Sequence, residues 1–355
     1  MRVAFLGSPP FATPILRQLL ASRHEVLGLV TPPDRPRGRG RGVSRSELAA
    51  LADEAGLPVL QPASTKDPQF VAALTALGAD ALMVASYGEI LRTDILELCP
   101  HGALNVHGSL LPRWRGASPI QRAVAAGDDE TGVSIQRMVL ALDAGDVLLA
   151  RSTPIGPDET SADLFDRLAA LGADAAVEAL DLIESGAARY EPQDASCVTL
   201  APKLNKEDGR IDFDQTPEVV SRHVRAMTSW PGARTRLPDG RDLVVLEAVP
   251  ITLDTGTPDT ETPDTEAPDT EAPDTEAPDT GAPDSAALDP GGRGPGAEDH
   301  PSTTGTLLAG PGLVVQVRGG AVRLRRLKPA GKGAMDDGAF LNGARLEPGQ
   351  RLGQA

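Results

Sequence analysis

Three residues whose types can together manage an acyl group stand within one stretch of this chain: Asn105, His107 and Asp143. Asn105 and His107 lie at the end of a short apolar run, ALNVH, which reads as a β-strand over Ala103–His107. Alternate strand residues point to one face, so the carboxamide and the imidazole project together. Asp143 follows one helix and one strand later, in the turn Leu-Asp-Ala-Gly-Asp. An amide and an imidazole can donate hydrogen bonds to a developing oxyanion, and a carboxylate can orient or charge the imidazole. The chemistry this set suits is acyl transfer; residue types alone leave open which group takes the proton. His24, His101, His223 and His300 have no such neighbours. The carboxylates and histidines show no ligand spacing of the H-E-x-x-H kind, so no metal is expected.

The elements that must position these groups are legible. Val3–Leu6, Val26–Val30, Pro58–Leu60 and Ala81–Ala85 read as strands, with helices at Phe11–Ser22, Arg45–Ala55 and near Pro68–Leu77. Val133–Met138 and Val147–Arg151 read as further strands, and Ser161–Glu184 as a long amphipathic helix. Strands alternating with helices predict an α/β fold: a doubly wound, mostly parallel, Rossmann-like sheet with its site at the carboxyl ends of the strands. The first turn, Gly7-Ser8-Pro9-Pro10-Phe11, lacks G-x-G-x-x-G, which argues against a dinucleotide cofactor. Further on, a helix at Pro217–Met227 precedes short β-rich runs at Ala233–Leu237, Leu243–Ala248, Gly305–Leu308, Leu313–Val317 and Ala321–Lys328. Short strands with Gly and Pro turns suggest a small β-barrel. The expected division is a catalytic domain over 1–188, a linker over 189–207 and a second domain over 208–355.

At 355 residues the chain can bury two cores. It has no run of about 18 apolar residues, so no membrane-spanning helix is expected. The N-terminal apolar run is too short for a signal peptide and reads as a buried first strand. Cys99 and Cys197 lack metal-like spacing and fit a reducing cytoplasm. The net charge of −16 argues against a nucleic-acid partner until it is located. Residues 254–300 hold fourteen acidic residues against one basic, Arg293, so −13 of the charge lies there and −3 elsewhere. That segment carries the unit Pro-Asp-Thr-Glu-Ala, repeated from Pro258 to Ala282. Proline at every fifth position blocks helix and sheet, and little apolar surface is available to bury, so 254–303 reads as a disordered insertion in the barrel. A near-neutral body can still present a basic face.

Asn-x-His-x-Ser-Leu-Leu-Pro over 105–112, Arg-x-x-Gly over 113–116 and Leu-Asp-x-Gly-Asp over 142–146 resemble the formyltransferases that use 10-formyltetrahydrofolate. Within that family, Ser118-Pro119-Ile120-Gln121-Arg122 resembles the branch that acts on methionyl-tRNA. The dehydrogenase and sugar-nucleotide branches usually carry Asn-Trp at the last two of these positions. The resemblance implies transfer of a formyl group from 10-formyltetrahydrofolate to the α-amino group of initiator methionyl-tRNA. Asn105 is then an oxyanion donor and His107 an acid or base; Asp143 holds His107 or accepts the proton. Ser109, Leu110, Leu111 and Pro112 match the folate-binding segment, with Met83 and Tyr87 as further lining residues.

The loop Thr31–Ser44 carries Arg35, Arg37, Arg39 and Arg41 and resembles the family's tRNA acceptor-end loop, Arg39 matching its key arginine. Arginine suits this task because its planar fork pairs with phosphate and stacks on bases. Lys203 and Lys206 lie in a segment that resembles the inter-domain junction, and the second domain is implied to be an OB-like barrel that binds tRNA. There Arg325 and Lys328 are candidate contacts, but strict alternation puts Arg323 and Arg325 on one face and Arg326 and Lys328 on the other. Aromatic residues make up only 3% of the chain, so no stacking platform is expected beyond Trp114 and Trp230, and Trp114 could pack or touch substrate. A formyltransferase for an amino sugar nucleotide and a non-catalytic folate- or RNA-binding module are the competing interpretations. The arginine loop opposes the first and the intact trio the second. A monomer is expected, since no long apolar seam is evident.

Overall fold

A computed structural model describes residues 1–34, 36–37, 42–251 and 303–353; Arg35, Arg39, Arg41 and the acidic repeat lie outside them. The first half runs β1 (Arg2–Gly7), α1 (Ala12–Ala21), β2 (Glu25–Val30), β3 (Pro36–Arg37), β4 (Gly42–Val43), α2 (Glu47–Glu54), β5 (Val59–Leu60) and α3 (Pro68–Ala76). It continues through β6 (Ala81–Ala85), α4 (Thr93–Leu96), β7 (Ala103–His107), α5 (Pro119–Ala126), β8 (Glu130–Arg137), β9 (Val147–Pro154) and α6 (Ser161–Glu184).

Seven of these strands form one sheet in the order β5-β2-β1-β6-β7-β8-β9. The pairs from β5 to β7 are parallel, and β7–β8 and β8–β9 are antiparallel. The central strands are nearly continuous in apolar residues, as a sheet covered on both faces requires, and Val3–Leu6 and Ala81–Met83 have no exposed surface. Strand order reverses between β1 and β6, and a cleft of about 300 Å³ opens there, lined by Ser8, Thr31, Asp34, Ser46, Tyr87 and Glu89 among others.

The longest helix, α6, starts with a reciprocal cap: Thr160 Oγ1 accepts from the Asp163 N–H while the Asp163 carboxylate accepts from the Thr160 N–H. Its apolar stripe packs on α1 and β8. At Gly172 a Cβ would lie 2.9 Å from Val106 Cγ1. Val106, between Asn105 and His107, points to the opposite sheet face and is buried there, so this glycine lets α6 seat directly behind the strand that carries both.

The second half holds α7 (Pro217–Ala226), β10 (Arg234–Arg236), β11 (Asp242–Ile251), β12 (Leu307–Leu308), β13 (Val314–Val317), β14 (Gly320–Pro329), β15 (Met335–Asp336) and α8 (Asp337–Gly343). Its strands are antiparallel in the order β10-β11-β14-β13-β12, with β15 on β14. Residues 349–353 join the two edges. The Leu307 N–H donates to Gln350 O at 2.8 Å, and the Gly353 N–H donates to Arg236 O at 2.9 Å. That closes the sheet around Leu243, Val245, Val315, Val322, Leu324 and Leu327, all without exposed surface. The second half is thus an antiparallel β domain of the barrel kind. β15 and α8 carry no apolar period; they are fixed by Asp336 capping the Ala339 N–H and by Asp337 bonding both Arg323 and the Leu313 N–H.

One expectation is corrected in β14. The β11–β14 register slips so that Leu246 and Arg325 have no opposite partner. The bulge turns Arg325 and Arg326 to the same side while Leu324 and Leu327 both face in. Arg323, Arg325, Arg326 and Lys328 therefore share the outer face, which strict alternation had divided.

Candidate active site

β7 pairs with β8 so that Asn105 faces Gln136 and His107 faces Ser134 across the ladder. Four polar side chains thus share one sheet face. His107 is buried, and its Nε2 lies 2.9 Å from the Trp114 carbonyl oxygen. A carbonyl only accepts, so Nε2 carries the hydrogen of this bond. The other ring nitrogen, Nδ1, stands 3.7 Å from Asp143 Oδ2, an ion-pair separation longer than a hydrogen bond. The Asp143 carboxylate is held on both oxygens: Oδ2 accepts from the Gly116 N–H at 2.8 Å and Oδ1 from Gln136 Nε2 at 2.9 Å. Asn105 is half-buried, and among the described residues no hydrogen bond occupies its carboxamide. The three residues singled out in the sequence are therefore brought to one place, two of them engaged and one free.

The backbone here is strained. Trp114 sits at φ 63 and Asp143 at φ 47, left-handed conformations that cost non-glycine residues about 1–3 kcal/mol each. Their surroundings hold them there. The Trp114 N–H donates to Thr199 Oγ1 at 2.8 Å, its indole Nε1 donates to Asp128 Oδ2 at 2.7 Å, and the Arg113 guanidinium lies 4.5 Å over its ring. The indole is thus packed and bonded within the protein. A Cβ at Gly116 would fall 2.4 Å from Ala201 O, so only glycine fits this close approach.

The folate candidates fall into two sets. Met83 and Ser109 have no exposed surface. Met83 is packed in the core, and the Ser109 hydroxyl donates to Arg113 O at 2.6 Å while its carbonyl accepts from Ser134 Oγ at 2.8 Å. Neither has surface to offer a ligand; Ser109 braces its own loop and Met83 packs within β6. Leu110, Leu111 and Pro112 are half-buried. Tyr87 is buried at the cleft, and burial together with Glu89 pushes its phenol up to about 12. Exposed apolar surface is found elsewhere: Leu200 and Trp230 are exposed, and much of the rest lies in the loops after β6 and β8, where Ile90 is 82% exposed, Leu140 67% and Leu142 70%. The sequence signal for these was available, since large apolar residues in loops at strand ends have no core to enter.

Of the candidate RNA contacts, Lys203, Lys206 and Lys328 are exposed, and Arg325 is exposed beside Glu247 at 3.1 Å. Arg37 belongs to the short β3–β4 ladder. Sequence reasoning missed Gln136, Gln193 and Thr199. Gln136 sits opposite Asn105 and could have been found from strand pairing; Gln193 and Thr199 had no local signal. Among the described residues one trio has metal-like spacing, His24, Asp181 and Glu184, and cations already meet its acids. Arg23 lies 2.7 Å from Asp181, and the N-terminal amine 2.7 Å from Glu184.

Comparison with known proteins gives this geometry a context. The formyl transferase family profile matches residues 1–180, and the profile of the formyl transferase C-terminal domain matches residues 203–345. A solved structure of HypX from Aquifex aeolicus in complex with tetrahydrofolic acid shares the fold, at 18% identity and TM-score 0.54. It is matched by 96% of this chain, which spans about half (47%) of that longer one. The methionyl-tRNA formyltransferase of Anaeromyxobacter dehalogenans is 54% identical over 258 residues, 73% of this chain and 82% of that protein. That of Geobacter sulfurreducens is 38% identical over 355 residues, covering 100% of this chain and 98% of its own length. Identity of that order, sustained from end to end and across both halves of the fold, makes this chain a member of the methionyl-tRNA formyltransferase family.

Proposed function

We infer that this protein transfers the formyl group of 10-formyltetrahydrofolate to the α-amino group of initiator methionyl-tRNA. What supports this most at the site is the approach of His107 Nδ1 to Asp143 at 3.7 Å beside the unoccupied Asn105 carboxamide. The neutral amine attacks the formyl carbon and a C–N bond forms. Negative charge gathers on the formyl oxygen of the tetrahedral intermediate. The bond to the folate nitrogen then breaks, and that nitrogen leaves with a proton while the former amine loses one. Asn105 donates to the oxyanion, and His107, oriented by the Asp143 carboxylate, donates beside it or carries the proton. The reaction needs no redox step.

Ile90, Val139, Leu140 and Leu142 supply exposed apolar walls suited to a flat pteridine, and backbone groups of the same loops supply its edge hydrogen bonds. Leu110, Leu111 and Pro112 close the side nearest His107. The cleft beside Thr31 and Asp34 opens at the root of the arginine-rich loop, so the acceptor end enters there. Arg35, Arg37, Arg39 and Arg41 grip it, and Lys203, Lys206 and the outer face of β14 hold the rest of the RNA. The protein works as a monomer in a reducing cytoplasm, where Cys99 and Cys197 stay unpaired. The deciding experiment compares formylation of charged initiator and elongator methionyl-tRNA with 10-formyltetrahydrofolate. Strong preference for the initiator is expected; failure to formylate either RNA would refute the assignment.

A further inference from the structure

Residues 187–202 lead from α6 to the second half, and they are laid along the catalytic loops as an added strand. The Arg115 N–H donates to Thr199 O at 2.9 Å and the Ala201 N–H to Arg115 O at 2.7 Å. The Ser118 N–H donates to Ala201 O at 3.2 Å, and Val147 and Glu191 exchange both backbone bonds at 2.9 Å. Between these two paired stretches sits Gln193. Its Nε2 donates to Asp143 O at 2.9 Å and to Gly145 O at 2.6 Å. Its Oε1 accepts from Arg115 Nε at 3.0 Å and from Arg115 Nη2 at 2.8 Å.

One side-chain amide has two hydrogens and two lone pairs, and here all four are used. Its orientation is fixed by chemistry, because carbonyls only accept and a guanidinium only donates. The two loops it joins are the ones that matter: the Asp143 turn on one side and the Arg115-Gly116 segment on the other. Gly116 is the residue whose N–H holds Asp143 Oδ2. Asp143 itself is at φ 47, a conformation that persists only where neighbours over-determine it. Gln193 lies between the two family-matched segments, 1–180 and 203–345.

We propose that Gln193 is a positioning residue for the transfer reaction: it clamps the Asp143 turn to the Arg115-Gly116 segment and so sets the carboxylate against His107. The inference rests on the proposed formyl transfer, with Asp143 acting through or beside His107. It also means that the catalytic turn is completed by the chain leading to the second half, not by the first sheet alone.

The test uses the full-length protein and two variants. Gln193→Ala removes the clamp; Gln193→Glu keeps its size and its acceptors for Arg115 but turns a carboxylate on the Asp143 and Gly145 carbonyls. Both are expected to lower kcat about 100-fold, as a displacement near 1 Å at a reacting centre does, with KM for 10-formyltetrahydrofolate and for charged tRNA within about twofold. The nitrogen NMR shifts of the His107 ring should move in both variants, a signature that a remote structural role would not give. Wild-type kcat in either folded variant, or unchanged His107 shifts, overturns the proposal. If the wild type itself fails to formylate initiator tRNA, the functional assignment fails, and the shift comparison still decides the clamp.

Discussion

Within the trio, among the described residues, His107 and Asp143 are already engaged and Asn105 is not. The buried His107 ring already donates from Nε2 to the Trp114 carbonyl and turns Nδ1 toward Asp143. For the ring to donate to an oxyanion, one of these arrangements must be given up. The Asn105 carboxamide has nothing to give up, which suits it to the role proposed for it, donor to the formyl oxygen. Asn105→Ala should therefore lower kcat about 100- to 1000-fold, about 3–4 kcal/mol, with folate binding little changed; steady-state kinetics with both substrates checks this. The Asn105–His107 pair was legible in the sequence because strand alternation alone places two residues on one face. Asp143 was legible only through its motif. Gln136 was within reach of strand pairing, since it stands opposite Asn105; Gln193 was not, because a strap laid across two loops is a tertiary fact with no local period.

At the scale of elements, the apolar runs of the first sheet identified its strands to within a few residues, and Ser161–Glu184 has the expected bounds. The basic strand β14 shows where pattern reasoning stops. Period-2 alternation assumes an unbroken register, and the slip at Leu246 and Arg325 breaks it. The same limit applies to the folate candidates: Met83 in its strand and Ser109 in its loop turn inward, while exposed Ile90 and Leu140, proposed above as walls for the pteridine, sit outside the motif. Because the bulge gathers Arg323, Arg325, Arg326 and Lys328 on one face, the stripe should act as a unit on RNA phosphates. Arg323 and Arg325 are already paired with Asp337 and Glu247, which leaves Arg326 and Lys328 as the free charges among the described residues. Replacing both by Ala should raise the Kd for tRNA and make the slope of log K against log salt shallower by about 1–2. KM for 10-formyltetrahydrofolate should not change. An unaltered salt slope would show that the outer face of β14 does not meet RNA.

In the whole molecule, α7 joins the halves, packing on α5 of the first and β11 of the second. It half-buries His223 near the Gly209 carbonyl, Asp208, Asp212 and Arg122, and among the described residues the buried Nε2 has no hydrogen-bond partner. Burial holds this imidazole below its ordinary range, against the pull of the nearby acids. A histidine lowered in the folded state takes its proton first in the unfolded chain. Stability is therefore full above about pH 6.5 and falls as the pH drops below it, toward the lower folded value. Denaturant titrations from pH 7.5 to 5.5 should show that loss in the wild type and less of it in His223→Gln. The charge of the molecule is equally a matter of place: −13 of the −16 belongs to residues 254–300, so the rest of the chain is near neutral and free to present a basic stripe to RNA. All scales meet in one assay: single-turnover transfer of labelled formyl from 10-formyltetrahydrofolate to charged initiator tRNA, by the wild type and by a variant carrying Asn105→Ala, His107→Ala and Asp143→Asn. The trio predicts rapid labelling by the wild type and a rate at least about 1000-fold lower in the variant. Full-rate labelling by the folded triple variant would contradict it.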